Sequence, residues 1–188
     1  MNKKKIIFFS FIFELFIIAN TQIKLIGPFW VDFKEFQSCN LSINYPIQFN
    51  FYPRKDTKYS ELLFGNITLQ RPLDDSLRMS ILLGNFDTIG LRKENSLAHV
   101  KKACTSLKMG LYGEKTWKIF TDTFKIPADC PWSIGHYVSS GFNTSAFKES
   151  HFPKSFIYGK YTSRLLYLDR KNNIISCTRI SIIINPYS

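Results

Sequence analysis

Cys130-Pro131-Trp132-Ser133-Ile134-Gly135-His136-Tyr137 opens the stretch that decides the fold, and Ile174-Ile175-Ser176-Cys177-Thr178-Arg179-Ile180 closes it. Between them stand Phe152-Pro153 and Gly159-Lys160-Tyr161. Residues 157–168 and 174–184 are rich in β-branched and aromatic side chains, and Asp169-Arg170-Lys171-Asn172-Asn173 separates them. That polar turn between two such runs predicts a β-hairpin. His136, between Gly135 and Tyr137, sits on a further predicted strand.

Upstream, Leu41, Ile43, Tyr45, Ile47, Phe49 and Phe51 alternate without a break, which predicts a strand with six large side chains on one face. Pro46 lies inside this run and cannot donate to a ladder, so the strand is expected at a sheet edge or at a bulge. Residues 62–69 and 77–83 supply two more strands around the turn Arg71-Pro72-Leu73-Asp74-Asp75-Ser76. From Asn95 the period changes. Leu97, Val100, Cys104 and Leu107 fall at helical spacing, Gly110 supplies a stop, and Trp117, Phe120 and Phe124 predict a second short helical turn before Pro127. The sum is an all-β chain: a two-sheet antiparallel β-sandwich with a short helical excursion in the middle.

Residues 1–21 read as a secretory leader. Lys3, Lys4 and Lys5 precede the apolar run from Ile6 to Phe13, and Glu14 interrupts it. A membrane-spanning helix needs about 20 apolar residues, so cleavage near Ala19 to Thr21 is expected rather than an uncleaved anchor. Residues 22–188 then form one domain of a size that supports a real core. Its net charge is two units below the +11 of the whole chain. The cations are scattered in ones and twos, as at Arg92-Lys93 and Lys101-Lys102, and no nucleic-acid motif accompanies them, so nucleic acid is not an expected partner. Anionic lipid headgroups suit this charge better.

All four cysteines, Cys39, Cys104, Cys130 and Cys177, lie beyond the leader, and an even count in a secreted chain predicts disulfides. Four cysteines allow three pairings, among which the sequence does not choose. No Cys-x-x-Cys pair and no cysteine at ligand spacing from a histidine predicts a metal site. Asn40-Leu41-Ser42, Asn66-Ile67-Thr68 and Asn143-Thr144-Ser145 are N-glycosylation sequons, with Asn143 expected on an exposed loop. His99, His136 and His151 are the only histidines, and none stands in a pattern with a nucleophile or paired carboxylates. There is no Gly-x-Ser-x-Gly elbow and no phosphate-cradling glycine loop, so no enzyme activity and no cofactor is expected. The apolar inventory carries more: 18 phenylalanines, and aromatics at 16% of the chain. Trp132, Phe142, Phe147, Phe152, Phe156, Ile157 and Tyr158 cluster between the two Gly-x-Tyr motifs, as if a loop carried apolar side chains toward a ligand or a membrane.

The ordered set quoted first (Cys-Pro then Gly-x-Tyr, Pro before a second Gly-x-Tyr, and a late-strand Cys) resembles the C-terminal half of the ganglioside GM2 activator-like proteins of the MD-2-related lipid-recognition (ML) superfamily. Gly65 to Leu73, a Gly-x-Ile-x-Leu-x-Arg-Pro-Leu passage, is similar to the insect secreted branch. The resemblance implies a β-cup whose splayed sheets enclose an apolar cavity, with residues 139–156 as the loop at its mouth. It implies the pairing Cys39 with Cys177 and Cys104 with Cys130. It also implies a secreted, extracellular or lysosomal, non-enzymatic protein that holds a lipid, glycolipid or other apolar cue. Such a protein serves as a carrier, a chemosensory binding protein, or an activator that meets a hydrolase or receptor partner and touches anionic membranes transiently. The alternative is a glycosylated extracellular protein-interaction module with a filled core and no ligand.

Overall fold

The structure is a computed structural model and describes residues 25–86 and 92–187. The expected leader lies outside the described residues. Among the described residues ten strands form three antiparallel sheets: β1 (Ile26–Gly27), β2 (Phe29–Ser38), β3 (Ile47–Thr57), β4 (Ser60–Leu69), β5 (Arg78–Phe86), β6 (Arg92–Val100), β7 (Gly135–Asn143), β8 (Phe156–Ile157), β9 (Gly159–Leu168) and β10 (Ile174–Pro186). The larger sheet has the order β2-β10-β9-β5-β6, the smaller the order β3-β4-β7, and β1 pairs only with β8. This is the predicted antiparallel sandwich. β3 runs close along β2, so the two sheets meet at that edge.

The opposite edge, between β6 and β7, is filled by the helical excursion. A single α turn at Ala103–Thr105 leads into a π-helical stretch at Ser106–Tyr112 and then into α1 (Gly113–Phe124). Trp117, Phe120, Thr121 and Phe124 are buried on one face of α1, at the i, i+3, i+4, i+7 spacing that a core-facing helix requires. The helix stops where Lys125 takes a left-handed conformation (φ 55°) and Ile126 N–H donates to Thr121 O at 2.9 Å. Pro127 then prevents continuation.

Two sequence expectations change here. The strand expected from Leu41 begins only at Ile47, and Leu41 and Ile43 are 85% and 48% exposed. Pro46 precedes the strand, while Pro53 lies within it. β3 is an edge strand, as a proline demands. The helix expected from Leu97 starts at Ala103, because Leu97 and Val100 belong to β6, and Gly110 lies inside the π-helical stretch rather than ending it. The hairpin joining β9 and β10 forms as expected, with the Asp169 carboxylate accepting from the N–H groups of Lys171 and Asn173.

Cys39 is bonded to Cys177 and Cys104 to Cys130, with Cα separations of 5.4 and 6.0 Å. These are the pairs that the resemblance implies. The first prolongs the β2–β10 ladder by one rung, since Cys39 N–H also donates to Cys177 O at 3.0 Å. The second clamps the two ends of the helical excursion together. The sequence separations are 138 and 26 residues. On the chain-entropy account, replacing Cys39 and Cys177 together by alanine is expected to cost about 1 to 2 kcal/mol more than replacing Cys104 and Cys130, as read from urea unfolding of the two double variants.

Candidate functional site

The inward faces of the sheets and of α1 meet in a connected set of rings. Trp117 stacks on Trp132 at 5.0 Å between centroids, and Phe120 lies parallel to Trp132 at 6.1 Å. Seven phenylalanines close a circuit through five elements. Phe33 contacts Phe36 (5.5 Å) on β2, Phe36 contacts Phe51 (5.6 Å) on β3, and Phe51 contacts Phe124 (5.4 Å). Within α1, Phe124 touches Phe120 (4.7 Å); Phe120 touches Phe142 of β7 (5.3 Å), Phe142 touches Phe147 (5.3 Å), and Phe147 returns to Phe33 (6.4 Å). Trp132, Phe124 and Phe142 are fully buried, whereas Phe33, Phe36, Phe51 and Phe147 remain half-buried. Solvent therefore reaches this interior from the side of β2 and the 3-10 turn at Thr144–Glu149.

One polar atom of this interior lacks a partner among the described residues: Trp132 Nε1 is buried without an acceptor, whereas Trp117 Nε1 donates to Ala128 O. The Tyr112 and Tyr167 phenols belong to the same interior. Burial pushes both phenols well above their ordinary value, and the two are near enough that charge on Tyr112 further disfavours charge on Tyr167. They reach the interior from different sides. Tyr112 ends the π-helical stretch and packs edge-on to Trp117, while Tyr167 projects from the larger sheet and stacks on Phe49 of the smaller at 5.7 Å. Buried donors are nearly always paired, so an unmet indole N–H in an aromatic interior marks it out.

Of the seven residues singled out in sequence, the structure brings four together: Trp132, Phe142, Phe147 and Phe152, the last packed on both Phe147 and Tyr112. Phe156, Ile157 and Tyr158 lie apart, at the small β1–β8 sheet, where Phe156 packs on Phe29 and Tyr161 and Ile157 is 52% exposed. Residues 139–156 are not one loop. Their first part completes β7, and Phe142, Ala146 and Phe147 turn inward to occupy the space between the sheets. Two concavities stand out among the described residues, one at Asp74–Ser76 with Cys130 and Pro131, the other beside Arg71 and Asp169; neither opens between the sheets. Tyr112, Tyr167, Phe33 and Phe36 were not singled out in sequence. Only the β-strand period around Tyr167 pointed to any of them.

Asn40 is exposed, Asn66 is half-exposed on β4, and Asn143 caps the 3-10 turn, accepting from Ser145 N–H while donating to Asp56. The histidines are engaged with neighbours: His99 with Ser80, His136 with Thr68, and His151 with Met109 O. Among the described residues no group of histidine, cysteine and carboxylate side chains could hold a metal ion, and no helix is long and apolar enough to cross a membrane.

No family model matches the chain, and no curated protein matches it. Among solved structures it is similar to chicken MD-1 complexed with lipid IVa, at 12% identity over 86% of this chain and 99% of that one, with a TM-score of 0.33. So distant a likeness carries no argument about the site.

Glu61 stands at the rim of the interior. It is 4% exposed, and its carboxylate accepts from Phe33 N–H at 2.9 Å, tying β4 to the free edge of β2. Desolvation raises its pKa, the Phe33 N–H opposes this, and neighbouring Asp32 reinforces it. A carboxyl group with a raised pKa binds its proton more tightly in the folded state. Its contribution to stability is thus complete below the ordinary carboxylate range and is lost as pH rises through the raised value. Glu61→Gln is expected to be the more stable protein at pH 7, with the difference shrinking as pH falls toward 5, as measured by thermal unfolding across that window.

Proposed function

We propose that the protein is a secreted, non-enzymatic lipid-binding protein of the ML type. It takes an amphiphilic ligand, an acyl chain, glycolipid or similar apolar cue, into the aromatic interior between its sheets. The observation that carries this reading is the buried, unpartnered Trp132 Nε1 in an otherwise apolar space to which the Tyr112 and Tyr167 rings also belong. An unmet buried donor costs about 1–3 kcal/mol, and a ligand with one oxygen function among apolar carbons recovers part of that cost. The resemblance in residues 127–184 supports the same ligand class. The half-buried rings Phe33, Phe36 and Phe147 form the entry, since they are the part of the interior that solvent touches.

In this reading residues 1–21 are a leader removed on secretion. The protein then works as a carrier or contact-chemosensory binding protein outside cells, or as an activator that hands lipid to a hydrolase or receptor. The basic surface favours transient contact with anionic membranes. Sedimentation with vesicles should accordingly show more binding to anionic than to neutral lipid, and salt should weaken it.

The competing reading is an extracellular interaction module without ligand, and the filled ring circuit favours it. Native mass spectrometry of secreted protein separates the two by the presence or absence of co-purified lipid. With a fluorescent fatty acid as probe, Tyr167→Phe and Tyr112→Phe preserve the rings and remove one hydroxyl each. Each is expected to weaken binding about two- to tenfold, the equivalent of one hydrogen bond. A protein that carries no lipid and binds no probe is the interaction module.

A further inference from the structure

The outer face of the smaller sheet is a regular grid. The register places Gln48, Thr68 and His136 in one row and Asn50, Asn66 and Val138 in the next. In a third row Tyr52 lies opposite Phe64, beside the β7 bulge at Ser140-Gly141. Tyr52 and Phe64 stack at 5.9 Å, and Phe64 lies across Gly141, where a Cβ would come within 3.0 Å of its ring. The Arg54 guanidinium covers the Phe64 ring at 4.5 Å, coming from the row beyond, on the side away from Asn66. On the Asn66 side the face is open: Tyr52 is 60% and Val138 59% exposed.

We propose that Asn66 carries an N-linked glycan whose first sugar packs on the Tyr52–Phe64 pair, so that the glycan becomes a fixed cover of the smaller sheet. Phe64-Gly65-Asn66-Ile67-Thr68 alternates along β4, which puts Phe64, Asn66 and Thr68 on the same outward face about 7 Å apart, the span of one sugar ring. The side chain is held ready. Asn66 Oδ1 accepts from Asn50 Nδ2 at 3.2 Å and from Thr68 Oγ1 at 3.4 Å, and no described residue accepts from its Nδ2. The C–H face of a pyranose is apolar and matches an aromatic ring. The other sequons lack this platform. Asn143 is committed to Asp56 and to capping, and Asn40 turns back on Ser42 N–H.

The chemistry is that of a lipid-linked oligosaccharide donor. Nδ2 of Asn66 forms a bond to the anomeric carbon of the first sugar and gives up one proton. The bond from that carbon to the lipid pyrophosphate oxygen breaks, and the pyrophosphate leaves with the bonding electron pair. The inference rests on entry into the secretory pathway and is independent of whether the interior takes a lipid.

The test is expression of the full chain in cultured eukaryotic cells, glycopeptide mapping of the secreted protein, and thermal unfolding before and after enzymatic removal of the glycan. Asn66 is expected to be occupied, and trimming is expected to lower Tm by about 2–4 °C, the size expected from one packed ring contact in a domain of this length. In Tyr52→Ala and Phe64→Ala the loss on trimming is expected to vanish or to fall by at least half. Tyr52 is exposed, so its variant remains usable if Phe64→Ala fails to fold. An unoccupied Asn66, a Tm indifferent to trimming, or an equal loss on trimming in Tyr52→Ala would each overturn the proposal.

Discussion

The packing of the α1 aromatic face against Trp132, Phe142 and Phe51 is the contact on which the rest of the molecule depends. Two sheets joined along one edge have an open side at the other, and the five- and three-stranded sheets here lie closest where β3 runs along β2. Something apolar must occupy the β6 to β7 side. Trp117, Phe120 and Phe124 do so from a single helix of twelve residues, and three large aromatic side chains bury area worth about 2 kcal/mol or more apiece. A helix this short is not stable alone. It is held by the rings it packs on and by the Cys104–Cys130 bridge, which ties the two ends of the excursion to each other.

The same dependence explains what could be read from sequence and what could not. The β9–β10 hairpin was legible because its strands are long, β-branched and separated by a polar turn. β2 was not, although it carries Phe29, Val31, Phe33 and Phe36, the last two packed against the core. The register slips between Ser181 and Ile182, leaving Lys34 unpaired, so the apolar spacing changes from two to three within the strand. A bulge erases the period by which strands are recognised. β6 failed for the opposite reason: as an edge strand with Leu97 turned outward it has no buried alternation, and its few apolar residues run on into helical spacing.

At the site, sequence composition located the aromatic residues but not their direction. Trp132, Phe142, Phe147 and Phe152 read equally well as a loop presented to a membrane or as a core. The parity of β7, fixed by its pairing with β4, turns Phe142 into the core, the bridge to Leu73 seats Trp132 there, and Phe147 and Phe152 follow by packing on Phe142 and on each other. Tyr112 carried no signal and Tyr167 only its strand period, because a tyrosine in sequence does not show which way its ring turns. Only the fold reveals that both rings join the aromatic interior.

Filled interior and ligand site are not contradictory when the ring contacts are weighed. Each aromatic pair contributes about 0.5–1.5 kcal/mol beyond area burial, so a ligand entering past Phe33 and Phe147 must replace several such contacts at once. Under the proposed reading only an apolar body of comparable size does so, and one with an oxygen function also meets Trp132 Nε1. Glu61 holds β4 to β2 beside Phe33, on the half-buried side of the interior. The Phe33 N–H favours the ionised carboxylate while desolvation and Asp32 disfavour it, so the tie between β4 and β2 at this rim is a balance of opposed effects.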